Sequence, residues 1–172
     1  MRNIRYLVAT SLDGYIAGPN GEADWIDVDP EIDFGAIWEQ FDTLLLGRRT
    51  YEAGRKRLGD KAFTGRKTFV FSRTLRPADY RSVTIISDLS VGWVETLKKQ
   101  SGRDIWLMGG GELFRWFLDH GCVDTVEVTV IPVLLRGGIP LLPGPYQPAK
   151  LKLCGSRIYC SGTVSLDYSV QH

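Results

Sequence analysis

At 172 residues and 44% hydrophobic content, the chain is long and apolar enough to bury one substantial core, and it is expected to form a single domain over residues 1–172. Its 21 Lys and Arg against 20 Asp and Glu leave a formal net charge of +1, which excludes both a global basic field for nucleic acid and an acidic disordered tail. Three cysteines, Cys122, Cys154 and Cys160, are odd in number and lack Cys/His ligand spacing, so they are expected as reduced core thiols and no metal centre is expected.

The N-terminal apolar run is too short for a signal peptide or a membrane span, so a cytoplasmic protein is expected. Ile4 to Thr10 reads as a buried strand stopped by Ser11-Leu-Asp-Gly14, with Tyr15-Ile-Ala17 and the turn-rich Gly18-Pro-Asn-Gly21 after it. Asp29 at a capping position and Pro30 at a first helical one predict an amphipathic helix carrying Phe34, Ile37, Trp38 and Phe41. Thr43 to Leu46 is a second strand, ended by Gly47-Arg-Arg-Thr50 and a short helix. A third strand runs to Phe71 and stops at Ser72-Arg73, Val83 to Ile86 is a fourth, and Val91 to Lys99 is a helix.

Asp104 to Leu118 is an apolar run broken by three glycines, Gly109, Gly110 and Gly111, and resumed with helical spacing. It reads as strand, turn, helix. Glycines there leave backbone N–H groups uncovered at a helix start whose dipole favours an anion; alone, the triplet reads equally as a tight turn that permits close packing. Val123 to Pro132, Ala149 to Tyr159 and Thr163 to Val170 are strand-like without helices between them, the last two paired through Cys160-Ser161-Gly162. An α/β fold follows, with a mostly parallel central sheet covered on both faces and finished by antiparallel strands.

Three loops then carry suggestive residues: Gly47-Arg48-Arg49-Thr50, Ser72-Arg73 and the glycine triplet. In an open parallel sheet ligands bind beyond the carboxyl ends of the strands, and two or three arginines with hydroxyls and free N–H groups suit a multiply phosphorylated ligand. Thr50 reads equally as a helix cap.

Ser11-Leu-Asp-Gly-Tyr-Ile-Ala17, Leu46-Gly-Arg-Arg-Thr-Tyr-Glu52, Val70-Phe-Ser-Arg73, Leu107-Met-Gly-Gly-Gly-Glu-Leu113 and Val128-Thr-Val-Ile-Pro-Val-Leu-Leu-Arg-Gly-Gly-Ile-Pro-Leu141 come in the order of a known family. The chain resembles the dihydrofolate reductase superfamily and, within it, the riboflavin-biosynthesis reductase domain. That resemblance implies a three-layer α/β/α dihydrofolate reductase-like fold, NADPH as cofactor and a homodimer. It places Met108 to Leu113, with Glu112 among them, around the pyrophosphate, helped by Gly47, Thr50 and Arg48. It puts Arg48, Arg49, Ser72 and Arg73 around the 2′-phosphate, and Ala9, Ile16 and Ala17 beside the nicotinamide under a closing Gly18 to Asp24 loop. A 2′-phosphate needs cations, and no acidic residue sits in Gly47-Arg48-Arg49-Thr50 or Ser72-Arg73, so NADPH is favoured over NADH.

A reductase also needs a proton. Folate-reducing relatives use a carboxylate on the first helix, and Asp33 is the catalytic candidate, though a first-turn acid favoured by the helix dipole explains it equally. Neither His120 nor His172 fits the role. Ser11 and Asp13 either face the substrate or form the turn before Gly14. Trp25 and Phe114, with Trp38, are candidates for an aromatic wall against a pterin, pyrimidine or flavin-like ring, and Phe34 and Ile37 for the ring's pocket. Arg66, in Gly65-Arg66-Lys67, resembles the segment that holds a glutamate tail. The expected activity is an NADPH-dependent reductase of a small, heterocyclic substrate, similar to the 5-amino-6-(5-phosphoribosylamino)uracil reductase domain. True dihydrofolate reductase and a non-catalytic NADPH- or nucleotide-binding module are the alternatives.

Overall fold

Most of the apolar runs pair into one eight-stranded sheet. A computed structural model describes residues 1–59, 61–145 and 147–171, so His172 lies outside the described residues. In chain order the elements are β1 (Ile4–Ser11), β2 (Tyr15–Ala17), α1 (Phe34–Glu39), β3 (Phe41–Gly47), α2 (Arg48–Leu58), β4 (Lys67–Phe71), a 3-10 turn (Pro77–Asp79) and β5 (Thr84–Ile86). Then come α3 (Val91–Lys99), β6 (Asp104–Gly109), α4 (Gly111–Asp119), β7 (Thr125–Ile131), β8 (Ile139–Pro140), β9 (Leu151–Ile158) and β10 (Val164–Val170). The main sheet has eight strands in the order β5-β4-β3-β6-β1-β7-β10-β9. The first six are mutually parallel, and β10 and β9 close the sheet antiparallel. β2 and β8 form a separate antiparallel pair.

Strand alternation sorts the side chains into two cores. Tyr6 of β1, Leu45 of β3, Phe69 of β4 and Ile105 and Leu107 of β6 meet Val94 and Leu97 of α3 and Phe114 and Phe117 of α4. On the opposite face Leu44 and Leu46, Val70 and Trp106 meet Tyr51 of α2, with Ile37 and Trp38 of α1 packed against them. The central strands are apolar on both sides because both sides are covered, which is why they read as continuous apolar runs. The three layers, with α3 and α4 on one face and α1 and α2 on the other, are those of the expected α/β/α fold. Among the described residues no helix is long and apolar enough to cross a membrane.

Two local expectations need correction. The helix expected to start at Asp29-Pro30 starts at Phe34, and Asp33 is its cap, accepting a hydrogen bond from Ala36 N at 2.9 Å. Asp29 is instead buried, its carboxylate accepting from Glu31 N at 2.8 Å and from Ser161 N at 3.1 Å in the β9–β10 turn. A partner 132 positions away overrides the local capping pattern. Of the cysteines expected as core thiols, only Cys122 is buried; Cys154 lies on the edge strand β9 and Cys160 in the turn after it, both exposed and both free thiols.

Candidate functional site

The three loops singled out in the sequence leave neighbouring strands at nearly one level. Gly47 at the end of β3 pairs laterally with Phe71 at the end of β4, and Leu46 pairs with Gly109 at the end of β6. With strands about 4.8 Å apart, Ser72 and the glycine turn stand about 10 Å from each other with Gly47-Arg48 between them. Parallel topology thus gathers residues far apart in sequence on one sheet edge.

Two helices begin at that edge with backbone donors that no side chain caps. The N-caps of α2 and α4 are Gly47 and Gly110, neither of which has a side chain to bond the first-turn N–H groups. Each start therefore offers free N–H groups and the positive end of a helix dipole. The two turns nearly touch, since a Cβ at Gly47 would lie 3.6 Å from Gly109 O. A Cβ at Gly110 would lie 3.6 Å from Thr50 Oγ1 and 3.8 Å from Ile16 Cδ1, so Thr50 and Ile16 border the same hollow. Thr50 does not cap α2, and its hydroxyl has no partner among the described residues. Gly109 holds φ +85°, a conformation that favours glycine. Backbone with glycine at both caps forms this cradle, and the residues fit a phosphorylated cofactor.

The arginines differ in availability. Arg48 Nη1 lies 3.1 Å from Glu52 Oε2, one turn along α2, whereas Arg49 and Arg73 are exposed and form no ion pair among the described residues. Ser72 Oγ accepts from Thr74 N at 3.2 Å and Leu75 N at 3.1 Å, which shapes the turn that presents Arg73. Glu112 pairs with Arg115 at 3.0 Å, and Met108 packs toward the α1/α2 face. Eleven of the chain's 21 Lys and Arg, but three of its 20 Asp and Glu, fall between residues 48 and 81. The near-zero net charge conceals a cationic segment that carries the two arginine loops of this edge.

On the substrate side the structure brings together less of what was expected. Ser11 is buried, donating to Asp13 Oδ1 at 2.6 Å and accepting from Tyr15 N at 3.0 Å. Asp13 also accepts from Leu135 N at 3.1 Å and Arg136 N at 2.7 Å. These bonds, the one from Ser11 foremost, hold its carboxyl below the usual carboxylate range. Ser11 bonds within the β1–β2 turn and Asp13 ties that turn to the segment before β8, which is the turn-forming role of the two expected. Phe114 is likewise no wall of a ring pocket: it is buried and stacked on Tyr6, with centroids 3.7 Å apart, on the face away from Trp38. Trp25 donates from Nε1 to Glu22 O at 3.1 Å within the segment leading to α1. Phe34 is about half exposed at the start of α1, beside the capping Asp33. Arg66 lies over the Trp38 ring at 5.3 Å and pairs with Glu39 at 3.2 Å.

Sequence reasoning used the Val128 to Leu141 motif for the resemblance but assigned no role to Thr129 or to β8. Ala9 pairs laterally with Thr129 of β7, whose hydroxyl lies 3.2 Å from Ser165 Oγ of β10, so two hydroxyls border the strand position expected beside the nicotinamide. Only the register reveals this. Gly138 packs so closely on β2 that a Cβ there would meet Ala17 O, and a Cβ at Gly111 would lie 2.7 Å from Pro140 O. β8 therefore bridges β2 and the first turn of α4, and its glycines were the visible signal.

Comparison with known proteins agrees with this architecture. The model of the RibD C-terminal domain matches residues 2–165. The uncharacterized protein YyaP of Bacillus subtilis (strain 168) is 35% identical over 178 residues, covering 97% of this chain and 94% of its own. A Shewanella sp. PV-4 protein, described only as a candidate riboflavin biosynthesis protein, superposes with TM-score 0.85 at 27% identity over the full length of both chains. The diaminohydroxyphosphoribosylaminopyrimidine deaminase/5-amino-6-(5-phosphoribosylamino)uracil reductase of Thermotoga maritima gives TM-score 0.73 at 18% identity, covering 99% of this chain and 57% of that one. Dihydrofolate reductase from Enterococcus faecalis, in complex with NADP(H), gives 0.72 at 19% identity, covering 99% and 97%. At these lower identities the likeness is one of fold. The chain belongs to the RibD C-terminal domain family, with the dihydrofolate reductase-like fold that its sheet and helices display.

Proposed function

We propose that this chain is a cytoplasmic NADPH-dependent reductase of a small heterocyclic substrate, of the pterin, pyrimidine or related class. The observation that carries this reading is the level, adjacent ends of β4, β3 and β6, where two uncapped helix starts meet Arg49 and Arg73. In this reading the first-turn N–H groups of Gly111, Glu112 and Leu113 and the Thr50 hydroxyl hold the pyrophosphate, with Gly109, Gly110 and Met108 shaping the turn. Arg48, Arg49, Ser72 and Arg73 hold the 2′-phosphate, and Ala9, Ile16 and Ala17 border the nicotinamide. When bound, NADPH supplies the hydride.

What the chain itself must add is orientation, exclusion of water and a proton. Asp33 is the proposed proton relay. Its Oδ1 caps α1, while its other carboxylate oxygen has no partner among the described residues. Asp33→Asn preserves a capping side chain and removes the proton-carrying oxygen, so loss of turnover with an intact fold separates the two roles. The capping bond equally favours the second reading, a nucleotide-binding module without chemistry.

A homodimer completes the proposal. Leu151, Leu153 and Ile158 of β9 are 42%, 52% and 79% exposed. Register places them beside Val170, Tyr168 and Val164 on the α3/α4 face of the sheet, an apolar surface continuous across two strands.

Titration of tryptophan fluorescence with NADPH and NADH, followed by NADPH consumption with dihydrofolate or 5-amino-6-(5-phosphoribosylamino)uracil, tests the reading. Tight binding without consumption of NADPH with either compound favours the module. No binding of either nucleotide at micromolar concentration refutes the site.

A further inference from the structure

Tyr6 presents a buried polar atom that the fold leaves without a partner. It stands on the α3/α4 face of β1, fully buried, its ring lying flat on that of Phe114. Three buried side-chain atoms lack a hydrogen bond among the described residues: Tyr6 Oη, Arg66 Nε and Thr163 Oγ1. Arg66 precedes β4 and Thr163 precedes β10, both away from the ends of β3 and β6. Tyr6, by contrast, reaches up from β1 to the glycine turn of the neighbouring β6. A Cβ at Gly109 would lie 3.2 Å from Tyr6 Cε2 and 3.6 Å from Oη.

Native proteins rarely leave a buried hydroxyl unpaired, and such a group points to a functional partner or a trapped water. Phenylalanine would keep the stack on Phe114 without the desolvation cost, so packing gives no reason for the hydroxyl. Burial pushes the phenol well above its ordinary value, so Oη keeps its proton and can donate. The glycine turn beside Oη leads into α4, nine residues long and without a side-chain cap, and such a helix start favours an anion as the acceptor.

We propose that the Tyr6 hydroxyl is the inner donor of the anion cradle, giving its hydrogen bond to a phosphate oxygen of the ligand held at the start of α4, directly or through one trapped water. The inference rests on reading that cradle as a phosphate site. It makes Tyr6 a binding residue for every ligand that places a pyrophosphate there, distinct in effect from the arginines, which act on the 2′-phosphate.

The full chain carrying Tyr6→Phe tests this by calorimetric titration with NADPH, NADH and inorganic pyrophosphate, alongside thermal melting without ligand. The expected result is binding weakened roughly tenfold or more for all three, the scale of a lost hydrogen bond to a charged group, with the ligand-free midpoint unchanged or raised. Equal affinities in wild type and variant overturn the inference and leave the cofactor reading standing. A loss confined to NADPH overturns it too, since the pyrophosphate is common to both nucleotides. A lowered ligand-free midpoint also overturns it, because the hydroxyl would then have a partner in the free protein. Tyr6-dependent binding of pyrophosphate by a wild type that binds neither nucleotide supports the inference and removes the NADPH reading. A wild type that binds none of the three removes both.

Discussion

Replacing Arg73 by alanine isolates the choice between NADPH and NADH. Arg73 follows Ser72 at the end of β4, level with the start of α2, and it is exposed without an ion pair among the described residues. A hydrogen bond to a charged group contributes about 1.5–3 kcal/mol, or roughly 10- to 150-fold in Kd. Exposure and salt place Arg73 at the lower end, about tenfold near 0.15 M ionic strength and more in dilute buffer. Arg48 competes with itself: its pair with Glu52, 41% and 44% exposed, is worth only about 0.3–0.5 kcal/mol, so it remains available to a ligand at small cost. Both Arg73→Ala and Arg48→Ala should therefore weaken NADPH by ~1–3 kcal/mol, with Arg73 at least equal to Arg48. NADH, lacking the 2′-phosphate, should change much less. Fluorescence titrations with both nucleotides at two salt concentrations measure this. Equal losses for NADPH and NADH would remove the 2′-phosphate assignment.

Gly109→Ala should destabilise the protein by about 2–3 kcal/mol, through its positive φ and a Cβ 3.2 Å from the stacked Tyr6 ring. For a chain of this length that is a fall of roughly 4–12 °C in melting midpoint, read by circular dichroism, and a shift within experimental error would contradict the geometry. Leu153→Asp, on the exposed β9, should shift the sedimentation of a dimer toward monomer without lowering the melting midpoint of the monomer; unchanged sedimentation of a dimer would exclude this face. For pH, Asp13 is held below the usual carboxylate range by Ser11 first and by the Arg136 and Leu135 amides, so its stabilisation is present above the unfolded value near 4 and lost as pH falls through the folded one. Asp13→Asn should accordingly flatten the acid limb of the melting profile below about pH 4, and parallel limbs for both proteins would count against the assignment.

The strands and helices with long, uninterrupted patterns were legible in the sequence. Val91–Lys99 is helical over the residues expected, and the strand-glycine-helix reading of the central stretch matches β6 and α4. Elements set by distant partners were not. Asp29 carries every local sign of a helix cap, but Ser161 and Glu31 take its carboxylate, and Asp33 caps four residues later. Phe114 has the spacing of a pocket aromatic and the position of a core one, because which face a helix buries depends on the strand beneath it; Tyr6 decides this. The arginine motifs were visible as motifs, while the gathering of positive charge between residues 48 and 81 was hidden by the balanced total. The roles of Thr129, inside a quoted motif, and of the orphaned Tyr6 hydroxyl could not be read from the sequence, since both depend on which strands neighbour β1.

In the proposed site, holding an anion and choosing among anions fall to different atoms. The cradle at the starts of α2 and α4 is backbone, with Gly47 and Gly110 as the caps, while a side chain at Gly109 would meet the Tyr6 ring. Selection would lie in Arg48, Arg49 and Arg73, exposed or half-exposed side chains that can change without disturbing either turn. The ring pocket in this proposal would be separate again, drawing on α1 and the β7–β10 hydroxyl pair, which lie on elements outside the cradle. A fold partitioned in this way can keep its phosphate site while its substrate changes. That is why, in this reading, the glycine turn and the arginines concern the cofactor and not what it reduces, which falls to the exposed Phe34 and Asp33 and the part-buried Thr129.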